Sequence, residues 1–290
     1  MNRIAESELI INPDGSIYHL HLKPEHIADD IIVVGDPQRV ELISKYFDNI
    51  EYKISNREFV THTGTINGKR ITALATGIGT DNIDIVINEL DAIVNIDLDK
   101  RVPKETHRTL NIVRLGTSGA LQEDIPVDSF VFSQYGLGID GLLNFYEDRD
   151  KVIDRELTEA FVDYSKWNKD LAKPYIVRGS TDLEARISEG MYKGITATAP
   201  GFYGPQGRVL RLGLMQKNIN SSLENFQFNG NRITNFEMET SALYGLGGML
   251  GHNTATVCAI IANRYNKTFS QDYKTTVKKL IELLLTRLTS

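Results

Sequence analysis

Apolar positions along the chain switch repeatedly between two periods. Ile31, Ile32, Val33 and Val34 are consecutive and β-branched, and Gly35 closes the run, as in a strand buried on both faces. Pro37 then suits the first turn of a helix whose apolar positions Val40, Leu42, Ile43, Tyr46 and Phe47 return at helical spacing. Asn67-Gly68 favours the positive-φ turn of a hairpin joining strands at 61–66 and 70–75. Ile83, Val86, Ile87, Leu90 and Val94 form the stripe of a second helix, after which the charged residues 96–109, broken by Pro103, predict an exposed excursion. Further strands are predicted at 111–115, ending on Gly116-Thr117-Ser118-Gly119, and at 127–134, 175–179, 192–199, 233–236 and 254–262; helices are predicted at 151–168, 240–250 and 277–288. Such alternation predicts an α/β fold of three layers, with a central mixed or mostly parallel β-sheet flanked by helices. No repeat or low-complexity linker divides the sequence, so residues 1–290 read as a single domain.

Charge and composition narrow the function. The 290 residues carry 32 Lys and Arg against 38 Asp and Glu, a formal net charge of −6, which argues against broad nucleic-acid binding. One cysteine, Cys258, excludes an intramolecular disulfide framework and a cysteine-cluster zinc site. The longest apolar runs, at 256–262 and 280–285, fall far short of the ~20 residues that span a bilayer, and residues 1–13 show no targeting pattern. A soluble, cytoplasmic globular protein is expected, with no membrane partner. His19 and His21 could share one face without a third ligand, and His26, His62, His107 and His252 stand isolated in the sequence, so no metal is expected.

Four polar clusters sit at or near predicted strand ends, where open α/β sheets place their ligands. Gly35-Asp36-Pro37-Gln38-Arg39 reads as an anion site built from a turn, a helix N-terminus and a guanidinium, or simply as a turn. Arg114 in an apolar strand demands either an anion or a structural salt bridge, while Gly116 and Gly119 would let backbone N–H groups approach a phosphate beside Thr117 and Ser118. In the segment 201–208, Gln206 and Arg208 could complement the polar edge of uracil with Phe202 on the ring face; the alternative is a glycine-rich surface loop. Glu237 and Glu239, on one side of extended backbone with Met238 opposite, suit the vicinal hydroxyls of a sugar, or are acids opening the next helix.

Together with Tyr18-His19-Leu20, Asn56-Arg57-Glu58-Phe59, Thr76-Gly77-Ile78-Gly79 and Asn263-Arg264, these motifs resemble, in order, those of the nucleoside phosphorylase family, and within it the uridine phosphorylases. The resemblance spans about Tyr18 to Arg264. It implies a mixed sheet partly closed into a barrel, and phosphorolysis of uridine to uracil and ribose 1-phosphate in pyrimidine salvage. By it, Gly35, Arg39, Arg114 and Thr117 hold phosphate, joined by Arg57 of a neighbouring subunit. Phe202, Gln206 and Arg208 bind the base, while Glu237, Met238 and Glu239 line the ribose pocket. His19, in an N-terminal segment (1–29), meets the 5′-hydroxyl in a neighbouring site. Catalysis is assigned to Arg208, Gln206, Arg114 and Glu239. The resemblance implies self-association as a homodimer or as a hexamer, a trimer of dimers. It implies no organic cofactor, phosphate being a co-substrate; some members hold a monovalent cation at the dimer interface, and Glu58 and Ile78 occupy two matching positions.

Departures from the family pattern are Thr80-Asp81-Asn82, where relatives commonly read Pro-Ser, and the length of 96–109. Asn263 stands where purine-specific relatives carry an Asp, which favours a pyrimidine. The competing readings are a purine nucleoside phosphorylase or a nucleosidase of the same fold, and a non-catalytic nucleoside-binding protein.

Overall fold

A computed structural model describes residues 3–290. Its first strand, β1 (Asp30–Val34), is buried on both faces. Ile31 and Val33 join one apolar cluster while Ile32 and Val34 join another, which explains the unbroken apolar run. α1 (Pro37–Ser44) starts where Asp36 caps it, its carboxylate accepting from the Gln38 N–H at 3.0 Å. The meander β2 (Asn49–Asn56), β3 (Phe59–Ile66) and β4 (Lys69–Ala75) turns at Arg57-Glu58 and at Asn67-Gly68. β2 is not announced by the apolar pattern: it lies at the edge of the sheet and alternates between exposed and half-buried positions, with none fully inside.

α2 (Thr80–Asn95) follows, and the excursion at 96–109 folds into a small hairpin, β5 (Ile96–Asp97) with β6 (Val102–Pro103). β7 (Asn111–Ala120) runs on through the Gly116-Thr117-Ser118-Gly119 segment predicted to end it, because that stretch pairs with two neighbours. Then come β8 (Phe130–Gly138), α3 (Arg155–Ser165), β9 (Tyr175–Arg178), α4 (Thr181–Ile187), β10 (Tyr192–Thr198), α5 (Ile219–Asn225) and β11 (Gln227–Phe228). β12 (Asn231–Glu237), α6 (Thr240–Met249), β13 (Asn253–Asn263), β14 (Thr268–Phe269) and α7 (Tyr273–Thr289) complete the chain.

The sheet is mixed and closes on itself. β7, β13, β8, β10 and β12 form a ring, shut by the antiparallel pairing of Asn235 with Ala120 and of Phe236 with Gly119. From β7 the sheet continues through β1, β4, β3 and β2. The expected α/β architecture, with a partly closed barrel between helices, is therefore present. Closure brings the ends of β7 and β12 together, and a bulge between Ile260 and Ala262 bends β13 beside them. No helix among the described residues is long and apolar enough to cross a membrane.

Candidate active site

A cavity of about 320 Å³ opens where β1, β7, β12 and β13 end. Ten of the twelve residues singled out from the sequence line it: Gly35, Arg39, Arg114, Thr117, Phe202, Gln206, Arg208, Glu237, Met238 and Glu239. Arg57 and His19 do not. Met238, expected to point away from its acidic neighbours, lines the cavity with them, because the chain leaves strand geometry here: Glu239 caps α6 at φ −138°, ψ −28°.

Arg114 is the centre of the polar floor and is only 6 % exposed. Its Nη1 lies 3.1 Å from Oε2 of Glu237, and its Nη2 donates to Oε2 of Glu239. Burial pulls its basicity down, but Glu239 and Glu237 together more than offset this and hold it above the ordinary arginine range. The glycine at 116 is required by this side chain, since a Cβ there would fall on the Arg114 guanidinium and 3.0 Å from Sγ of Cys258. Gly116 therefore makes room for the arginine. Burial pushes the Cys258 thiol up to about 11, so it stays protonated beneath the guanidinium.

Both acids are spoken for. Glu237 accepts from Oγ1 of Thr198 at 2.6 Å and from the backbone N–H groups of Glu239 and Thr240, so it caps α6 as well as holding Arg114. Burial raises its pKa from the ordinary glutamate value, against the pull of Arg114. Glu239 accepts the N–H of Gly79, the residue that opens α2, at 2.8 Å. Each oxygen of Glu239 thus has one donor and keeps a lone pair for a ligand hydroxyl.

Arg39 has no carboxylate partner: its Nη1 reaches only the Leu115 carbonyl, at 3.4 Å. Burial lowers its pKa, and neighbouring Arg114 adds to that. Two arginines thus converge on one spot, one neutralised and one available, with Thr117 beside them. The first N–H of α1 is taken by Asp36 itself, so the helix end adds less than its position suggests.

Elsewhere in the lining, Arg208 stacks over Phe202 with its guanidinium carbon 3.8 Å from the ring centroid, covering one ring face. It donates to the Phe202 carbonyl and to Oε1 of Gln206, both at 2.6 Å. That bond orients the buried amide of Gln206 and leaves its Nε2 as the free donor. Burial lowers the pKa of Arg208. Arg264, which the sequence offers either as part of a polar rim or as a strand terminator, lines the cavity, donating to the Gln206 carbonyl at 2.7 Å and leaving a buried Nη1 without a partner. The neighbouring Asn263 is turned away, its amide donating to the Gln122 and Ile125 carbonyls at 2.8 Å, so it does not face the cavity. Adjacent residues of extended backbone point to opposite sides, so Ala262 and Arg264 face the cavity and Asn263 between them does not.

Residues 29–289 match the phosphorylase superfamily. The chain belongs to this superfamily. It is 29% identical over 273 residues to a uridine phosphorylase of Thermococcus kodakarensis, covering 93% of this chain and 86% of that one. It is 25% identical over 271 residues to a DeoD-type purine nucleoside phosphorylase of Bacillus cereus, covering 92% and 96%. Among solved structures, a Trypanosoma brucei nucleoside phosphorylase with uridine phosphorylase activity superposes with a TM-score of 0.86 at 30% identity, covering 97% of this chain and 99% of that one.

Other predicted features of this superfamily member resolve differently. Arg57 sits exposed at the β2–β3 turn with φ +53°, its guanidinium 5.5 Å from the Tyr18 ring centroid. His19 is adjacent, edge-on to Tyr18 at 4.7 Å, with its carbonyl accepting from Asn56 at 2.7 Å. The two residues expected to serve a neighbouring subunit therefore form one patch outside their own chain's cavity. At the matching position the Ile78 carbonyl accepts from Nδ2 of Asn82, one of the residues of the Thr80–Asn82 departure, at 3.4 Å. His107 and His252, isolated in the sequence, pack with ring centroids 5.6 Å apart near Asp91. The Leu110 N–H donates to Nδ1 of His252 at 3.2 Å, which places the ring proton on Nε2, a buried atom 3.2 Å from Asp91 that makes no hydrogen bond. A ring in that tautomer has no lone pair to give a metal there.

Proposed function

We propose that this chain is a uridine phosphorylase: the C1′–N1 bond of uridine breaks, a C1′–O bond to inorganic phosphate forms, and uracil leaves with its electron pair to be protonated by solvent. The observation that carries this reading is one cavity holding, in sequence, an anion end (Arg39, Arg114, Thr117), a sugar floor (Glu237, Met238, Glu239) and a base end (Phe202, Gln206, Arg208). The uridine phosphorylase names among the relatives support it.

Arg39 orients the phosphate dianion and Arg114 supplies a second guanidinium whose charge is shared with the sugar-binding acids. Glu239 offers its remaining lone pairs to ribose hydroxyls, and the Glu237–Glu239 pair favours the positive charge that develops on the ribosyl ring. Nε2 of Gln206 and the free N–H groups of Arg208 stabilise the uracil anion; an aimed donor of this kind is worth roughly 3–4 kcal/mol. A departing purine needs a proton on its imidazole ring. The base end holds Gln206, Arg208 and Arg264 and no carboxylate among the described residues, so a pyrimidine fits better than a purine. A nucleosidase has no use for the unpaired Arg39. The anion end is close to neutral in one chain, because Arg114 is already paired with Glu237 and Glu239. Arg57 of a second copy makes up the missing charge and His19 of that copy closes over the 5′-hydroxyl, so the working unit is at least a homodimer, acting in nucleoside salvage in the cytoplasm.

The test is uridine with phosphate, followed by loss of uridine absorbance and by ribose 1-phosphate release. Arsenate should replace phosphate. Full activity in water alone would indicate a hydrolase, and preference for inosine a purine enzyme.

A further inference from the structure

His19 is held by a residue that none of the sequence motifs includes. Glu89, on α2 and 14% exposed in its side chain, places Oε1 at 2.6 Å from Nδ1 of His19. The same carboxylate accepts the backbone N–H of His19 at 3.0 and 3.1 Å and that of Leu20 at 2.8 Å. An ionised carboxylate only accepts, so the ring proton sits on Nδ1 and the ring's other nitrogen, Nε2, carries a lone pair. Three further restraints keep the carboxylate and the segment from rotating or lifting. Asn56 donates to the His19 carbonyl at 2.7 Å, and the Ile4 N–H donates to the Arg101 carbonyl at 2.8 Å. The Arg101 guanidinium also donates to the Leu9 carbonyl, so the 96–109 excursion clamps the start of the N-terminal segment while Glu89 clamps its end.

α2 also fixes where His19 can act. Its first residue follows Gly79, whose N–H is bound to Glu239, whereas Glu89 lies ten residues further on. A helical rise of 1.5 Å per residue puts about 15 Å of rigid helix between them. His19 is therefore far from its own cavity and is not among the residues that line it.

We propose that Glu89 is a positioning residue that locks His19 in the Nδ1–H tautomer, presenting Nε2 as the acceptor for the nucleoside 5′-hydroxyl in a second copy's cavity. This rests on the uridine phosphorylase reading above. Two substrates separate the outcomes. With uridine, Glu89→Ala lowers kcat/KM about 10- to 100-fold, the effect of losing one charge-assisted hydrogen bond and its alignment, and Glu89→Gln, which keeps an acceptor, restores part of it. With 5′-deoxyuridine, which lacks the hydroxyl, both variants match the parent chain. Equal losses on both substrates would make Glu89 merely structural and overturn the proposal, as would no loss on either. ¹⁵N NMR of the unmodified protein gives a readout independent of activity: His19 must show the Nδ1–H tautomer, and the Nε2–H form would overturn the proposal. If the unmodified protein cleaves neither substrate, the functional reading fails, and the NMR result still decides the tautomer.

Discussion

Replacing Arg114 by methionine tests the electrostatic logic of the cavity floor without reference to turnover. The guanidinium and its partners are all desolvated, with side chains 7%, 2% and 5% exposed for Arg114, Glu237 and Glu239. At an effective dielectric of 20, two unit charges about 4 Å apart attract by about 4 kcal/mol, so the two pairs gain about 8 kcal/mol before desolvation is charged against them. What is lost on truncation is set by the stranded partners: breaking a buried ion pair costs about 3–5 kcal/mol, a large share of the 5–15 kcal/mol that holds a typical domain together. The loss must depend on pH. Burial already raises the pKa of Glu237 against the pull of Arg114, and removing Arg114 raises it further. A carboxyl whose folded pKa lies above its unfolded value binds more protons when folded, so its folded state gains as pH falls through the folded value. Urea denaturation of parent and Arg114→Met should therefore show a deficit of about 3–5 kcal/mol near pH 8 that shrinks towards pH 5. The triple variant Arg114→Met, Glu237→Gln, Glu239→Gln should recover most of it at both values. A deficit under about 1 kcal/mol, or one that does not change with pH, refutes the buried triad as the organising feature of the floor.

Three further outcomes are expected. Arg208→Ala should lower uridine turnover by about 10²–10³-fold while phosphate affinity, measured by calorimetry, changes little; equal losses would remove Arg208 from the base end. Mixing Arg57→Ala with Arg208→Ala chains should restore about a quarter of the parent rate, because half of randomly re-paired dimers are mixed and each carries one intact site; no recovery after proven exchange would place Arg57 outside the reaction. Thr198→Val, which removes the hydroxyl between Glu237 and the Ser241 N–H, should cost about 1–3 kcal/mol in thermal or urea unfolding, with Thr198→Ser near the parent; parent-like stability in the valine variant would show that Glu237 is held without it.

Much of the architecture was legible in the chain because burial writes itself into local periodicity. The run at 31–34 reads as a doubly buried strand, Asn67-Gly68 as a hairpin turn, and the stripe from Ile83 to Val94 as α2, since each pattern reflects one dominant environment. β2 was not legible, because an edge strand with no fully buried position leaves no apolar record. Residue types in the cavity were readable for the same reason that they are costly: a charged Arg114 inside an apolar strand, or two acids two residues apart, must be met by something. What meets them is decided by the closed barrel. Only the pairing of β7 with β12 carries Glu237 and Glu239 onto Arg114, 123 and 125 positions away, and leaves neighbouring Arg39 without a carboxylate. Only the tertiary placement of the end of β13 decides that Arg264 faces the cavity while Asn263 binds the Gln122 and Ile125 carbonyls. Only the long, rigid α2 separates His19 from its own site. The sequence by itself determined which side chains demand a partner; the fold decided which partner each one has, because contacts between distant strands depend on closure and register rather than on any local pattern.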